Sequence, residues 1–259
     1  MADGFPSSAR VVIVGGGIAG CSVAYHLAKL GWSDVVLLER GTLTCGTSWH
    51  AAGLVMQLRT THTMTEICRY GAALYARLEA ETGQATGFKQ VGSIPVARTQ
   101  DRFIEIKRLA SLGRYFGIEA EILSPNEVSK YHPLIDPTRV VGALFIPGDG
   151  QTDPVGTTMA LAKGARARGI KIIERTPVSG IETKDGVVSA VMTEKGRIAC
   201  ESVVLCGGIW TRDLAASAGV AVPNYASEHM YVTTQPIAGV RSGLPVIRDT
   251  DGFVYIKED

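Results

Sequence analysis

The chain has 259 residues, 46% of them hydrophobic and 20% charged, with a formal net charge of +1. This is an ordinary globular composition, enough for one large domain or two modest ones, and it lacks the basic surplus that nucleic acid or an anionic membrane surface requires. No apolar run approaches the roughly 20 residues of a membrane-spanning helix, and the opening MADGFPSSAR has neither an apolar signal core nor an Arg-rich amphipathic pattern, so the expected compartment is the cytoplasm, with the mitochondrial matrix as the alternative for a processed eukaryotic chain.

In chain order, ARVVIVGGGIAG (9–20) is a short β-branched apolar run closing in glycines, which predicts a buried strand and a tight turn. IAGCSVAYHLAKLGW, from residue 18, has helical spacing and meets a C-cap candidate at Gly31. SDVVLLER (33–40) reads as a second buried strand, so the first 40 residues compose a βαβ unit with a right-handed crossover. CGTSWHAAGL (45–54) follows, a small flexible run that delivers a Trp-His pair. TEICRYGAALYARLEAETG (65–83) and TQDRFIEIKRLASLGRYFG (99–117) are amphipathic helices with solvated charged faces, and GSIPVART (92–99) is a strand between them.

SPNEVSKYHPLI (124–135) predicts a short helix broken by Pro133, and VVGALFIPGDGQTDP (140–154) a strand ending in a loop. In that loop Asp149, Asp153 and Pro154 read as structural, with Asp153 or Thr152 capping the next helix, VGTTMALAKGARARG (155–169). Strands then crowd together: IKIIERTPVSGIET (170–183), GVVSAVMTEKGRIACESVVLCGG (186–208), YASEHMYVTTQPI (225–237) and GFVYIKED (252–259), with TKDG and TEKG as turn formers. The expected fold class is α/β: a Rossmann-type nucleotide-binding layer (1–90 and 140–220) interleaved with a sheet-rich α+β second domain (91–139 and 221–259).

The chemistry gathers near the start. Gly15, Gly17 and Gly20 form G-x-G-x-x-G between a strand and a helix: the first for the turn, the second for approach to a pyrophosphate, the third for helix–strand packing. Phosphates belong at the helix N-terminus near Ile18 and Ala19, where free N–H groups and the dipole favour anions. Glu39, 19 residues beyond Gly20, can accept the hydroxyls of an adenosine ribose and would repel a 2′-phosphate. These residues predict a dinucleotide; FAD and NAD both satisfy them. Five scattered cysteines without a CxxC pair and five histidines without an HxxxH pair argue against a zinc site or a disulfide framework.

The segment VVIVGGGIAGCSVAYHLAKLGWSDVVLLERGTLTCGTSWHAAGL resembles the start of the flavoenzymes that oxidise N-methylated glycines, the sarcosine and dimethylglycine dehydrogenase family. LEAETG, GSIPVARTQDR, IPGDGQTDP, VVLCGGIWTRD, ASEHMYVTT and DGFVYI follow in that family's order. The resemblance implies FAD, joined covalently through the imidazole of His50 to a flavin methyl carbon, a link that fixes the cofactor and raises its potential. Gly46, Thr47 and Ser48 would let the backbone pass the isoalloxazine, with Arg40, Ala52 and Gly53 also at the cofactor. Val178 matches a position that contacts adenine through its backbone, and Cys206, Gly207 and Gly208 match a second glycine turn near the phosphates.

The resemblance further implies hydride transfer from the N-methyl carbon of a small amine, sarcosine in preference to dimethylglycine, to flavin N5, with an electron-transfer flavoprotein or oxygen as acceptor. His229 matches an active-site histidine and Tyr255 a substrate-proximal tyrosine. Family members continue beyond VYIKED with more substrate-domain sheet and a folate-binding region. The chain is therefore expected to be the N-terminal part of such an enzyme, or a truncated product, with tetrahydrofolate relevant only to the missing region. The alternative is a non-catalytic regulatory relative resembling a pyruvate dehydrogenase phosphatase regulatory subunit; that relative lacks the Trp-His pair, so Trp49 and His50 favour chemistry.

Overall fold

A computed structural model describes residues 4–258; residues 1–3 and 259 of the expected domains lie outside them. The first elements are β1 (Ser8–Val14), α1 (Ile18–Lys29), β2 (Val35–Leu38), β3 (Leu54–Val55), α2 (His62–Thr82), β4 (Ser93–Ala97), α3 (Gln100–Phe116), β5 (Glu121–Leu123), α4 (Pro125–Tyr131), β6 (Gly142–Phe145) and β7 (Gly150–Gln151). Then come α5 (Pro154–Arg166), β8 (Lys171–Ile173), β9 (Val178–Lys184), β10 (Val187–Thr193), β11 (Gly196–Leu205), α6 (Thr211–Ala216), β12 (Val246–Asp249) and β13 (Val254–Ile256).

The chain divides into two compact units, residues 1–52, 78–86 and 154–229 in one and 53–77, 87–153 and 230–259 in the other. Each unit is built from three separate stretches of the chain. Residues 53–77 and 140–153 pack in the second unit because β3 pairs with β7 and β6 pairs with β4 and β5.

In the first unit six strands run in the order β8-β2-β1-β11-β10-β9. β8, β2, β1 and β11 are parallel, while β10 and β9 extend the sheet as antiparallel hairpins at the predicted turns. Residues 11–14 of β1 and all of β2 are continuous apolar runs because both their faces are covered. On one face Val12, Val14, Val36, Leu38, Val191 and Ile198 form a core cluster. Helices α1 and α5 pack together, and a Cβ on Gly164 would stand 2.9 Å from the buried Tyr25 ring, so glycine sets how closely those helices approach. Each fully buried Val or Leu contributes about 1.5–3 kcal/mol, which makes this sheet a firm base for what its strand ends carry.

In the second unit a mixed sheet runs β13-β12-β4-β6-β5, and β3 and β7 form a separate two-stranded ladder. α3 begins with Thr99 accepting the Arg102 N–H at 3.2 Å and ends at Gly117 with φ +70°. α4 starts with a capping box between Ser124 and Glu127 and stops before Pro133.

Two sequence expectations need correction. IKIIERTPVSGIET is not one strand but two at opposite edges of the first sheet, because Arg175 turns left-handed (φ +50°) and Pro177 cannot donate to a ladder. YASEHMYVTTQPI forms no strand. It runs exposed, with Tyr225 90%, Met230 96% and Val232 84% accessible, since no described strand lies beside it to complete a ladder. The strand β12, over VIRD, was not anticipated from the sequence; it is the partner that carries β13 into the sheet.

Candidate dinucleotide site

The C-terminal ends of β2, β1 and β11 lie side by side, and each carries part of the candidate site. Gly15 leaves β1 with φ +115° and donates to the Leu38 carbonyl at 2.8 Å, and a Cβ there would overlap the Cys206 carbonyl oxygen. A Cβ on Gly20 would overlap the Gly15 carbonyl oxygen, so the third glycine is what lets α1 sit against the strand end. Gly17 is the N-cap of α1, without a side-chain cap and with no acidic residue in the first turn. A twelve-residue helix that opens this way presents N–H groups at Ala19 and Gly20 to an anion.

Glu39 is buried at the end of β2. Its Oε2 accepts the Gly16 N–H at 2.6 Å, and its Oε1 accepts the Gly41 N–H at 2.8 Å and the Cys45 thiol at 3.4 Å. The carboxylate therefore ties the glycine loop to the turn after β2, and Oε2, with one donor, keeps a lone pair for a ribose hydroxyl. Desolvation and, next, this carboxylate hold the Cys45 thiol above its ordinary range. Val178 opens β9 opposite Thr193, and just before it Arg175 and Thr176 donate to the carbonyls of Gly41 (2.7 Å) and Glu39 (2.8 Å). That pairing draws the start of β9 toward the turn that carries Glu39.

The Trp-His stretch is a 3₁₀ turn over Thr47–His50, capped at its start by Gly46. Ser48 Oγ accepts the backbone N–H of Ile18 at 2.9 Å, which anchors the turn on the first residue of α1. Trp49 and His50 stack on each other, ring centroids 3.5 Å apart, and both are exposed. Cys206 continues β11, donating to the Val14 carbonyl at 2.7 Å; Gly207 caps the 3₁₀ turn Gly208–Trp210, and Gly208 has φ +58°. Trp210, which the sequence reading passed over, meets the Arg40 guanidinium, whose carbon lies 3.7 Å from the ring centroid. A tryptophan placed three residues after a strand-end glycine was the available signal.

The first unit thus gathers Gly15, Gly17, Ile18, Ala19, Gly20, Glu39, Arg40, Gly46, Ser48 and His50 with Cys206, Gly207 and Gly208, while Thr47 and Ala52 flank the Trp-His pair. Gly53 (φ +75°) opens the second unit, where its carbonyl accepts the Thr152 N–H at 2.8 Å. His229 ends the first unit in the exposed stretch rather than in a strand, and Tyr255 is half-exposed on β13, opposite Arg248. All five cysteines are free, and burial pushes the Cys21 thiol up to about 12, so it is inert. Among the described residues there is no metal-ligating cluster, and no helix is long and apolar enough to cross a membrane.

A glycine loop between strand and uncapped helix, a buried carboxylate at the next strand end and a second glycine turn define a dinucleotide-binding α/β protein. More narrowly, the chain belongs to the FAD dependent oxidoreductase family, whose model matches residues 10–259. It is 45% identical to "Sarcosine dehydrogenase, mitochondrial" of Homo sapiens, over 97% of this chain and 28% of that protein. It is 42% identical to the "Pyruvate dehydrogenase phosphatase regulatory subunit, mitochondrial" of Mus musculus, over 97% and 29% of the two. Among solved structures, L-proline dehydrogenase from P. horikoshii superposes with a TM-score of 0.87 at 25% identity, covering 98% of this chain and 68% of that one. The chain therefore spans less than a third of the length of these two curated relatives.

The residues present fit FAD. Gly15 and Gly20 leave no room for side chains, Gly17 leaves the helix end open, and Glu39 faces the loop that would carry the adenosine.

Proposed function

We propose that the chain supplies the cofactor-binding part of an FAD-dependent amine oxidoreductase that oxidises an N-methylated glycine, sarcosine before dimethylglycine, with His50 carrying the flavin covalently. The observation that supports this reading best is the Ser48–Ile18 hydrogen bond, which holds the His50 turn against the phosphate-binding end of α1. The identity with a protein named sarcosine dehydrogenase supports the substrate class.

When bound, FAD supplies the two-electron acceptor for hydride leaving the N-methyl carbon. The chain's own residues bind and orient. The N–H groups of Ala19 and Gly20 receive the pyrophosphate, Glu39 accepts the ribose hydroxyls, and the Gly46–Ser48 backbone sets His50 in place. The amine must be neutral to release hydride, so His229 takes its ammonium proton at an imidazole nitrogen and Tyr255 walls the substrate. Val178 contacts adenine through its backbone. Electrons leave to an electron-transfer flavoprotein, in the cytoplasm or the mitochondrial matrix, either of which keeps the thiols reduced. Sarcosine and dimethylglycine differ by one methyl, worth about 1–3 kcal/mol in an apolar pocket, so the preference is to be read from the ratio of kcat/KM values.

A second reading, a regulatory relative without chemistry, is favoured by the 42% identity to the phosphatase regulatory subunit. One experiment separates them: acid-precipitate the protein beside its His50→Ala variant and look for flavin absorbance and a flavin-mass adduct on the His50 peptide. Flavin in the pellet of the wild type alone supports the amine oxidoreductase. Flavin left in the supernatant of both removes the covalent link and favours the regulatory reading.

A further inference from the structure

Trp210 joins the two sides of the site. β2 and β11 flank β1 in the sheet, so their ends stand on either side of Gly15, about 10 Å apart at ordinary strand spacing. Arg40 lies just past the end of β2 and Trp210 just past the end of β11. Their contact, 3.7 Å from guanidinium carbon to ring centroid, therefore crosses the end of β1, beside the open N-terminus of α1. The left-handed Gly208 reverses the chain after β11 and the 3₁₀ turn brings Trp210 back over the strand ends. Trp210 Cζ3 also stands 3.6 Å from where a Cβ on Gly46 would be, so the same ring abuts the cap of the His50 turn. The stack keeps an outer side to solvent, Trp210 being 41% exposed. A ligand entering along the strand ends has to pass this pair.

We propose that Arg40 and Trp210 form a clasp over the phosphate end of the site, and that Trp210 is a cofactor-contacting residue that sets how long a dinucleotide stays bound. The proposal rests on the FAD-binding reading. A guanidinium on a partly solvated indole shifts an equilibrium by about 2- to 30-fold, enough to govern retention without preventing entry.

The test measures FAD release from the full chain carrying His50→Ala, where nothing covalent masks affinity. Trp210→Ala and Arg40→Ala should each speed release about tenfold, the two together no more than either alone, and Trp210→Phe should stay within about threefold of the parent. Unchanged release, or effects that multiply independently, would overturn the clasp. Trp210→Phe keeps the ring and Arg40→Ala removes only an exposed side chain, so both remain readable should Trp210→Ala fail to fold. If the His50→Ala parent binds no FAD, the functional reading falls instead, and the clasp is read from amide exchange over Gly15–Gly20. Faster exchange in both alanine variants keeps it, and unchanged exchange removes it.

Discussion

Ser48 and Ile18 are 30 residues apart, yet the Ser48 hydroxyl accepts the first free N–H of α1 at 2.9 Å. The hydroxyl does the work of an N-cap from outside the helix. It also spends one of the helix's anion-binding groups to fix the position of the Trp49–His50 turn, so in the proposed enzyme phosphate binding and flavin attachment would share a support.

Ser48→Ala should therefore leave the Ile18 N–H without its partner, costing about 1 kcal/mol in a denaturant titration. It should also slow formation of the His50 adduct more than it weakens FAD binding. Equal losses in both would show that the bond supports only the helix.

Glu39 is buried and satisfies two backbone N–H groups at once. Glu39→Ala leaves Gly16 and Gly41 unpaired beside a cavity, and a loss of about 2–4 kcal/mol in stability is expected. Glu39→Gln preserves the shape but offers a donor where Gly16 or Gly41 already donates, so FAD affinity in the His50→Ala background should fall at least tenfold by titration, the loss of about one charge-assisted hydrogen bond.

Two glycines should respond in opposite directions to alanine. At Gly20 the added carbon overlaps the Gly15 carbonyl oxygen, so Gly20→Ala should abolish FAD binding and cost more than about 3 kcal/mol. Gly71, in the middle of α2, has nothing within 4 Å of the new carbon, and Gly71→Ala should raise stability by about 0.5–1 kcal/mol. Thermal unfolding of the pair checks both signs.

Asp149, 1% exposed, accepts the Ser93 hydroxyl at 2.6 Å and the Gln57 N–H at 2.8 Å. Burial outweighs these bonds and holds its carboxyl above the usual 3.8. A carboxyl with a raised folded value favours the folded state most below 3.8, and that contribution is lost as pH rises through the folded value. Asp149→Asn should thus become progressively less destabilising, relative to wild type, as pH rises above 3.8 through the raised folded value. A difference that is constant with pH would show that Asp149 does not titrate in this window.

The βαβ start was legible because its signals are local: unbroken β-branched runs for strands covered on both faces, glycines at fixed spacing, and a carboxylate at the second strand end. The amphipathic helices and the hairpins followed from periodicity and from Gly-containing turns. The relation between β8 and β9 was not legible, since two strands four residues apart end on opposite edges and only the left-handed Arg175 and Pro177 mark the break. The 225–237 stretch has strand-like alternation, but alternation does not create a partner. Trp210 escaped notice because its meaning lies in Arg40, 170 residues earlier.

The pairing of β1 with β11 bears on how the protein is made. Val12 faces Val36 on one side and Val203 on the other, so the second neighbour of the central strand is synthesised about 190 residues after the strand itself. Most of the second unit emerges from the ribosome in between. Until Leu205 is released, the nascent chain holds the whole glycine fingerprint on a strand with one bare edge, a state open to intermolecular pairing. The glycine fingerprint is translated well before the strand that completes its sheet.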